Sequence, residues 1–270
     1  MSKLTNILFS INSLRKILGN VLFYRSTKFN FHRQIIEDEE SLFSDKKILV
    51  LAPHPDDDCF GVGGTIKKVS FSNKVEVAYF CDGSGGVKEN SKGNDTNLIE
   101  IRKKEVIASG KILGLQAQTF FGYADGHLAP GQGVVRALSG LIKRFEPDII
   151  FVPSFLDNQP DHRATNEILF KCLEDAANWS KKATWRGIAE IWAYEVWTPI
   201  FPNRLVMISK NIEIKKQAIE AQTSQLKTRG YDKAILGLNQ YRAEINGEEG
   251  FAEAFFAATP EIYKELFKKS

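Results

Sequence analysis

Apolar residues along this chain recur with two different periods. Residues 48–52, 75–80 and 149–153 are short runs, rich in Val and Ile, with few polar side chains. Runs of this length that are apolar almost throughout form strands buried on both faces. Residues 97–113 and 132–145 instead repeat apolar positions at helical spacing, and Glu146-Pro147-Asp148 sets a helix stop directly ahead of the third run. Strands alternating with helices of this length predict a Rossmann-like α/β fold: a mostly parallel sheet with helices on both faces. Further along, residues 188–197 and 204–208 read as strands and 212–227 as one long amphipathic helix. No repeat, low-complexity tract or composition break divides the chain, so residues 46–270 are expected to form a single domain.

Residues 1–45 read as an extension. Leu4, Ile7, Leu8, Ile11, Leu14, Leu18 and Val21 recur at helical spacing beside Lys3, Arg15, Lys16 and Arg25, and residues 26–45 are a polar, turn-rich linker. A helix packed on the protein's own body fits this pattern. So does a basic interfacial helix that touches a membrane surface or a partner enzyme. Asn6, Ser10, Asn12 and Ser13 interrupt any signal-peptide core, so the extension does not read as a targeting signal.

Composition narrows the classes. A chain of 270 residues can bury a substantial core, and 43% hydrophobic with 26% charged residues is ordinary for a soluble protein. A net charge of +3, with basic and acidic residues interspersed, argues against a nucleic-acid partner. No stretch approaches the roughly 20 apolar residues of a spanning helix. Cys59, Cys81 and Cys172 are odd in number, far apart and in no CxxC pair, and read as reduced thiols of a cytoplasmic protein. A homo-oligomer is compatible with all of these figures.

Candidate chemistry lies just beyond two of the strand runs. His54-Pro55-Asp56-Asp57-Asp58 begins two residues after the first, and Asp157-Asn158-Gln159-Pro160-Asp161-His162 follows the third. In open parallel sheets, ligands bind at the carboxyl ends of strands. His54, Asp57 and His162 are a three-ligand set that leaves a fourth position on zinc for water. Asp56 beside them can take a proton from water and return it to a departing amine, and Asp161 can orient a neighbouring group. The competing reading of the first loop is a plain helix-capping turn, since Asp favours helix N-termini. Against it, only four histidines exist, and two fall in acid-rich loops after strands.

Other features are open to more than one reading. Gly61, Gly63 and Gly64 resemble a phosphate loop, but the G-x-G-x-x-G pattern is absent and three aspartates precede them; close packing of the following helix explains them better. Asp82-Gly83-Ser84-Gly85-Gly86 either lines the site through backbone amides or is a flexible turn. Arg102 and Glu105, one turn apart, read by default as a surface pair. His127 is a spare acid or base, or part of a turn. Trp185, Trp192 and Trp197 form either a sugar-stacking wall or core packing.

The residues from 46 to about 258 resemble the LmbE-like, or PIG-L, family of zinc-dependent N-deacetylases of N-acetylglucosamine conjugates. Ala52-Pro53-His54-Pro55-Asp56-Asp57-Asp58 is close to its A-H-P-D-D-E signature, continued by Gly61 and Gly63-Gly64-Thr65-Ile66. Arg102-Lys103-Lys104-Glu105 up to Leu113-Gly114, Tyr123-Ala124-Asp125-Gly126 and Pro160-Asp161-His162-Arg163-Ala164 resemble its next three motifs. Lys216-Gln217-Ala218-Ile219 through Ser224-Gln225, then Ala252-Glu253-Ala254-Phe255, are similar to its C-terminal ones. The resemblance implies zinc on His54, Asp57 and His162, Asp56 as general base, and sugar contacts at Arg102 and Asp125. Two positions depart from the pattern. Asp58 stands for Glu, and Gln159 stands where the family has a His that stabilises the oxyanion, oriented by the Asp matching Asp161. A neutral amide can donate a hydrogen bond but cannot pass a proton. Two rival functions follow: a zinc-containing sugar-binding protein that has lost catalysis, and a nucleotide-binding module on the same type of sheet.

Overall fold

The computed structural model describes residues 34–36, 44–85, 96–175, 187–227 and 230–270. Numbered along the chain, its strands lie side by side as β1 (Gln34–Ile36), β7 (Arg204–Met207), β8 (Ala252–Ala258), β6 (Glu190–Tyr194), β5 (Ile149–Pro153), β2 (Lys47–Ala52), β3 (Lys74–Cys81) and β4 (Ala117–Tyr123). All pairings are parallel except those of β8, which runs against both β6 and β7. The expected α/β fold with a mostly parallel sheet is therefore observed. Alternation along β2 explains its unbroken apolar sequence, because successive side chains point to opposite faces and both are covered. Ile48, Val50 and Ala52 join the core beneath α1 (Asp57–Val69), α2 (Thr96–Leu113), α5 (Ile212–Glu220) and α7 (Tyr231–Glu244). Leu49 and Leu51 join the opposite core beneath α3 (Gln132–Phe145), α4 (Pro160–Glu174) and α8 (Pro260–Lys269).

Several elements differ from the sequence expectation. β1 falls within the segment expected to be a linker and pairs in parallel with β7 as an edge strand. The helix expected over 212–227 breaks at Gln222, and its last turn is a separate helix, α6 (Thr223–Leu226). The N-terminal helix expected at residues 4–21, along with Trp185 and Gly86, lies outside the described residues.

β2 and β5 are neighbours, with Ile48 opposite Ile149 and Val50 opposite Phe151. After β2 the chain turns into α1 on one face; after β5 it turns into α4 on the other. The two connections diverge, opening a crevice at the carboxyl ends of adjacent strands, where an α/β sheet binds its ligand. The glycines of α1 set its distance from the sheet. A Cβ on Gly64 would come within 2.6 Å of Ile208, and one on Gly61 would collide with the Tyr194 ring. Close packing, not phosphate binding, accounts for them.

Candidate active site

His54 and Asp57 enter the crevice from the β2–α1 turn, and His162 from the first turn of α4. The His54 backbone N–H donates to Asp57 Oδ2 (2.8 Å), closing a tight turn. That oxygen lies 3.1 Å from His54 Nδ1 and 3.2 Å from His162 Nε2. Outward, His54 Nε2–H donates to Asp161 Oδ2 (3.0 Å), and His162 Nδ1 lies 3.3 Å from Asp157 Oδ2. Each imidazole thus has one nitrogen at the shared carboxylate and the other against a carboxylate behind it, the arrangement that orients metal-ligating histidines.

These residues fit a metal ion. One ligand atom from each of His54, Asp57 and His162 lies within 4.8 Å of the others. Asp57 Oδ1 and both ring nitrogens of His162 are buried without a hydrogen-bond partner, a condition that costs about 1–3 kcal/mol per group unless something satisfies it. The electrostatics agree with a cation site. Burial would raise the Asp57 pKa, but the charge of His162 at 3.2 Å, together with the hydrogen bond and charge of His54, holds it well below the usual carboxylate range. Burial would lower His162, but Asp57 and Asp157 push it up to about 9. His54 likewise stays well above its ordinary value despite burial, through hydrogen bonds to Asp161 and Asp57. Positive charge is favoured at this point, whether carried by protons or by a metal.

Asp56 sits beside this set, buried, with Oδ2 accepting from Arg102 Nη2 (3.0 Å). Burial raises its pKa and Arg102 opposes that, leaving it at about 6, a value suited to taking and returning a proton near neutral pH. Arg102 is 2% exposed, so it is not half of a surface pair. Its Nη1 donates to the Gly83 carbonyl (3.1 Å) and to Asp125 Oδ2 (3.4 Å). Glu105 instead caps the start of α6, accepting from the Ser224 N–H and hydroxyl (2.8 and 2.6 Å). Asp125 also accepts from the N–H groups of Gly83 and Gly85, and Asp82 from that of Ser84. The amides of Gly83, Ser84 and Gly85 are therefore used internally and do not line the site.

Gln159 is the N-cap of α4, its Oε1 accepting from the His162 N–H (2.8 Å). That bond fixes the amide orientation, so Nε2 faces His54 Nε2 (3.2 Å) and Asp161 Oδ2 (3.3 Å). Asp161 further accepts from the N–H groups of Gly126 (2.7 Å) and Leu128 (3.2 Å). Burial would raise its pKa, but His54 and these donors hold it at about 2. His127 is exposed, with Nδ1 donating to the Asp125 carbonyl (2.9 Å).

Two contributors escaped the sequence reading. Asp157, fully buried, backs His162 and accepts from the N–H groups of Gln159 (3.1 Å) and Trp197 (3.2 Å). Its place in the strand-end loop was the available signal. Cys81, at the end of β3, brings a buried thiol within 4.8 Å of His54 and Asp125 ligand atoms; only the neighbouring strand's position reveals it. Of the tryptophans, Trp192 is wholly core, whereas Trp197 is 42% exposed.

Residues 49–173 match the family model described as GlcNAc-PI de-N-acetylase, PIG-L. Diacetylchitobiose deacetylase of Thermococcus kodakarensis is 29% identical over 190 residues, covering 67% of this chain and 70% of that protein. A probable N-acetyl-alpha-D-glucosaminyl L-malate deacetylase 2 of Bacillus anthracis is 27% identical over 198 residues, covering 69% and 84%. The solved structure of N,N'-diacetylchitobiose deacetylase from Pyrococcus horikoshii superposes with a TM-score of 0.70 at 26% identity, covering 81% of this chain and 85% of that one.

Proposed function

Because the chain belongs to the PIG-L (LmbE-like) family of de-N-acetylases, we propose that it hydrolyses the acetamide of an N-acetylated amino sugar or glycoconjugate. In this reading His54, Asp57 and His162 hold zinc and Asp56 is the general base. The observation that carries it is the pairing of a convergent His-Asp-His set, with buried unsatisfied ligand atoms, and a separate buried carboxylate, Asp56, held beside it by Arg102 (3.0 Å). Zinc, when bound there, supplies a Lewis acid that polarises a carbonyl and acidifies water.

The chain's own groups do the remainder. Asp56 accepts a proton as water attacks the acetamide carbon, and returns it to the nitrogen as the C–N bond breaks, releasing acetate and a primary amine. Arg102 keeps Asp56 aimed and, with Asp125, forms the polar wall for the sugar hydroxyls. Gln159 Nε2 donates to the developing oxyanion, and Asp161 holds His54 and that amide in place. The test is a panel of N-acetylated sugars with zinc-loaded protein, scored by primary-amine release. Release that stops on chelation is the expected result; no release from any sugar would sink the assignment.

One observation favours a second reading, a metal-containing sugar binder without turnover: no ionisable group occupies the position of Gln159, and its carboxamide is already committed to the His162 N–H and to Asp161. That reading expects sugar binding with no acetate released.

A further inference from the structure

Neither the metal set nor the base uses Trp197, yet its surroundings tie it to both. It stands three residues past the carboxyl end of β6, the parallel neighbour of β5, on the sheet edge that carries the crevice. Its backbone N–H donates to Asp157 Oδ2 (3.2 Å), the same oxygen that lies 3.3 Å from His162 Nδ1. The indole is 42% exposed but held from behind. Phe60, three residues after Asp57 on α1, meets it edge-on, with ring centroids 6.4 Å apart and planes at 86°. Tyr231, at the start of α7, leans on it at 5.1 Å.

A sugar presenting its acetamide to His54, Asp56 and His162 has the Arg102–Asp125 ion pair on the β3–β4 side. On the β6 side, the loop whose N–H binds Asp157 carries the Trp197 indole, 42% exposed and backed by Phe60 and Tyr231. Pyranose rings carry C–H groups on one face and hydroxyls around the rim, so they match such a surface: large apolar area with a wet edge. The reacting ring is committed to the metal set, so the ring over Trp197 is the next one along a glycan. Resting on the deacetylase reading above, we propose that Trp197, supported by Phe60 and Tyr231, is a stacking subsite for the second sugar ring of an N-acetylated disaccharide or longer glycan.

The experiment compares kcat/KM for N,N'-diacetylchitobiose and N-acetylglucosamine in zinc-loaded parent protein and in Trp197→Ala and Trp197→Phe variants. The disaccharide-to-monosaccharide ratio, which cancels any loss of folded protein, is expected to fall about tenfold in Trp197→Ala, with most of it kept in Trp197→Phe. An unchanged ratio, or a Phe variant as impaired as the Ala one, overturns the subsite. Calorimetry on zinc-loaded Asp56→Asn protein reads the same ratio from binding alone. If no sugar is deacetylated, the deacetylase reading fails by itself and calorimetry decides the subsite: a tenfold loss of disaccharide preference on adding Trp197→Ala supports it, and a preference unaffected by the substitution overturns it.

Discussion

Gln159 shows how much a single side chain is asked to do. Its carbonyl oxygen caps α4, while its NH₂ faces His54 and Asp161. Removing one oxyanion donor costs about 10²–10³ in rate, and an amide recovers only part of what a charged imidazole supplies. Gln159→His is therefore expected to raise kcat about tenfold, measured by amine release. It should also lower Tm slightly, since losing an N-cap side chain costs about 1 kcal/mol. An unchanged or reduced kcat would show that the amide already suffices. At this scale the sequence was most informative for His54, Asp57 and His162, because scarce ligand types directly follow apolar runs. It misdirected at Arg102: the i,i+3 neighbour Glu105 is visible in sequence, but Asp56 and Asp125, 46 and 23 positions away, are not. Asp157 stands in the same strand-end loop as His162, which it backs, but its other partner, the Trp197 N–H on the loop after β6, is not visible in sequence.

The helix α1 links chemistry to packing. It is kinked at Val62, where φ is −134°. Beyond the kink, the N–H groups of Gly64 and Thr65 donate to the buried Glu253 carboxylate (2.8 and 2.7 Å), which is neutralised by Lys215 (2.6 Å). Gly64 itself touches Ile208 too closely for any side chain. Gly64→Val should destabilise the fold by about 1–3 kcal/mol through overpacking, read from denaturant unfolding; a variant as stable as the parent would refute the packing role. The role of these glycines was legible, because a helix following an acidic loop has no phosphate to bind. β8 was not: its sequence, Ala252-Glu253-Ala254-Phe255-Phe256-Ala257-Ala258, is poor in β-branched residues. Only its place between β6 and β7, and the Lys215 partner for Glu253, make it a buried strand. β1, three residues long, depends wholly on β7.

On the scale of the whole molecule, the crevice exists because α1 and α4 leave adjacent strands toward opposite faces, each carrying part of the ligand set. A metal held by His54, Asp57 and His162 would join both connections, so its binding would couple to folding. Zinc at about 100 times its Kd should stabilise the protein by about 2.7 kcal/mol, roughly 5–10 °C in Tm for a domain of this size. The rise should vanish with chelator and in His162→Ala. A metal-independent Tm would exclude a site built from both loops. The alternation of apolar runs with helical patterns was enough to read this architecture. The identity of the glycan partner was not, because it depends on loops that come together only at the sheet edge.

In the proposed reaction, one metal on His54, Asp57 and His162, acting with Asp56, removes an acetyl group. The most direct measurement titrates zinc into chelator-stripped protein and into its Asp56→Asn variant, following bound metal and amine release from N,N'-diacetylchitobiose together. Activity in the parent should rise from nothing to a plateau at one zinc per chain. The variant should bind the same one zinc and lose at least about 10²-fold in turnover. Full activity in stripped protein, or undiminished turnover in Asp56→Asn, would rule out this metal-and-base mechanism.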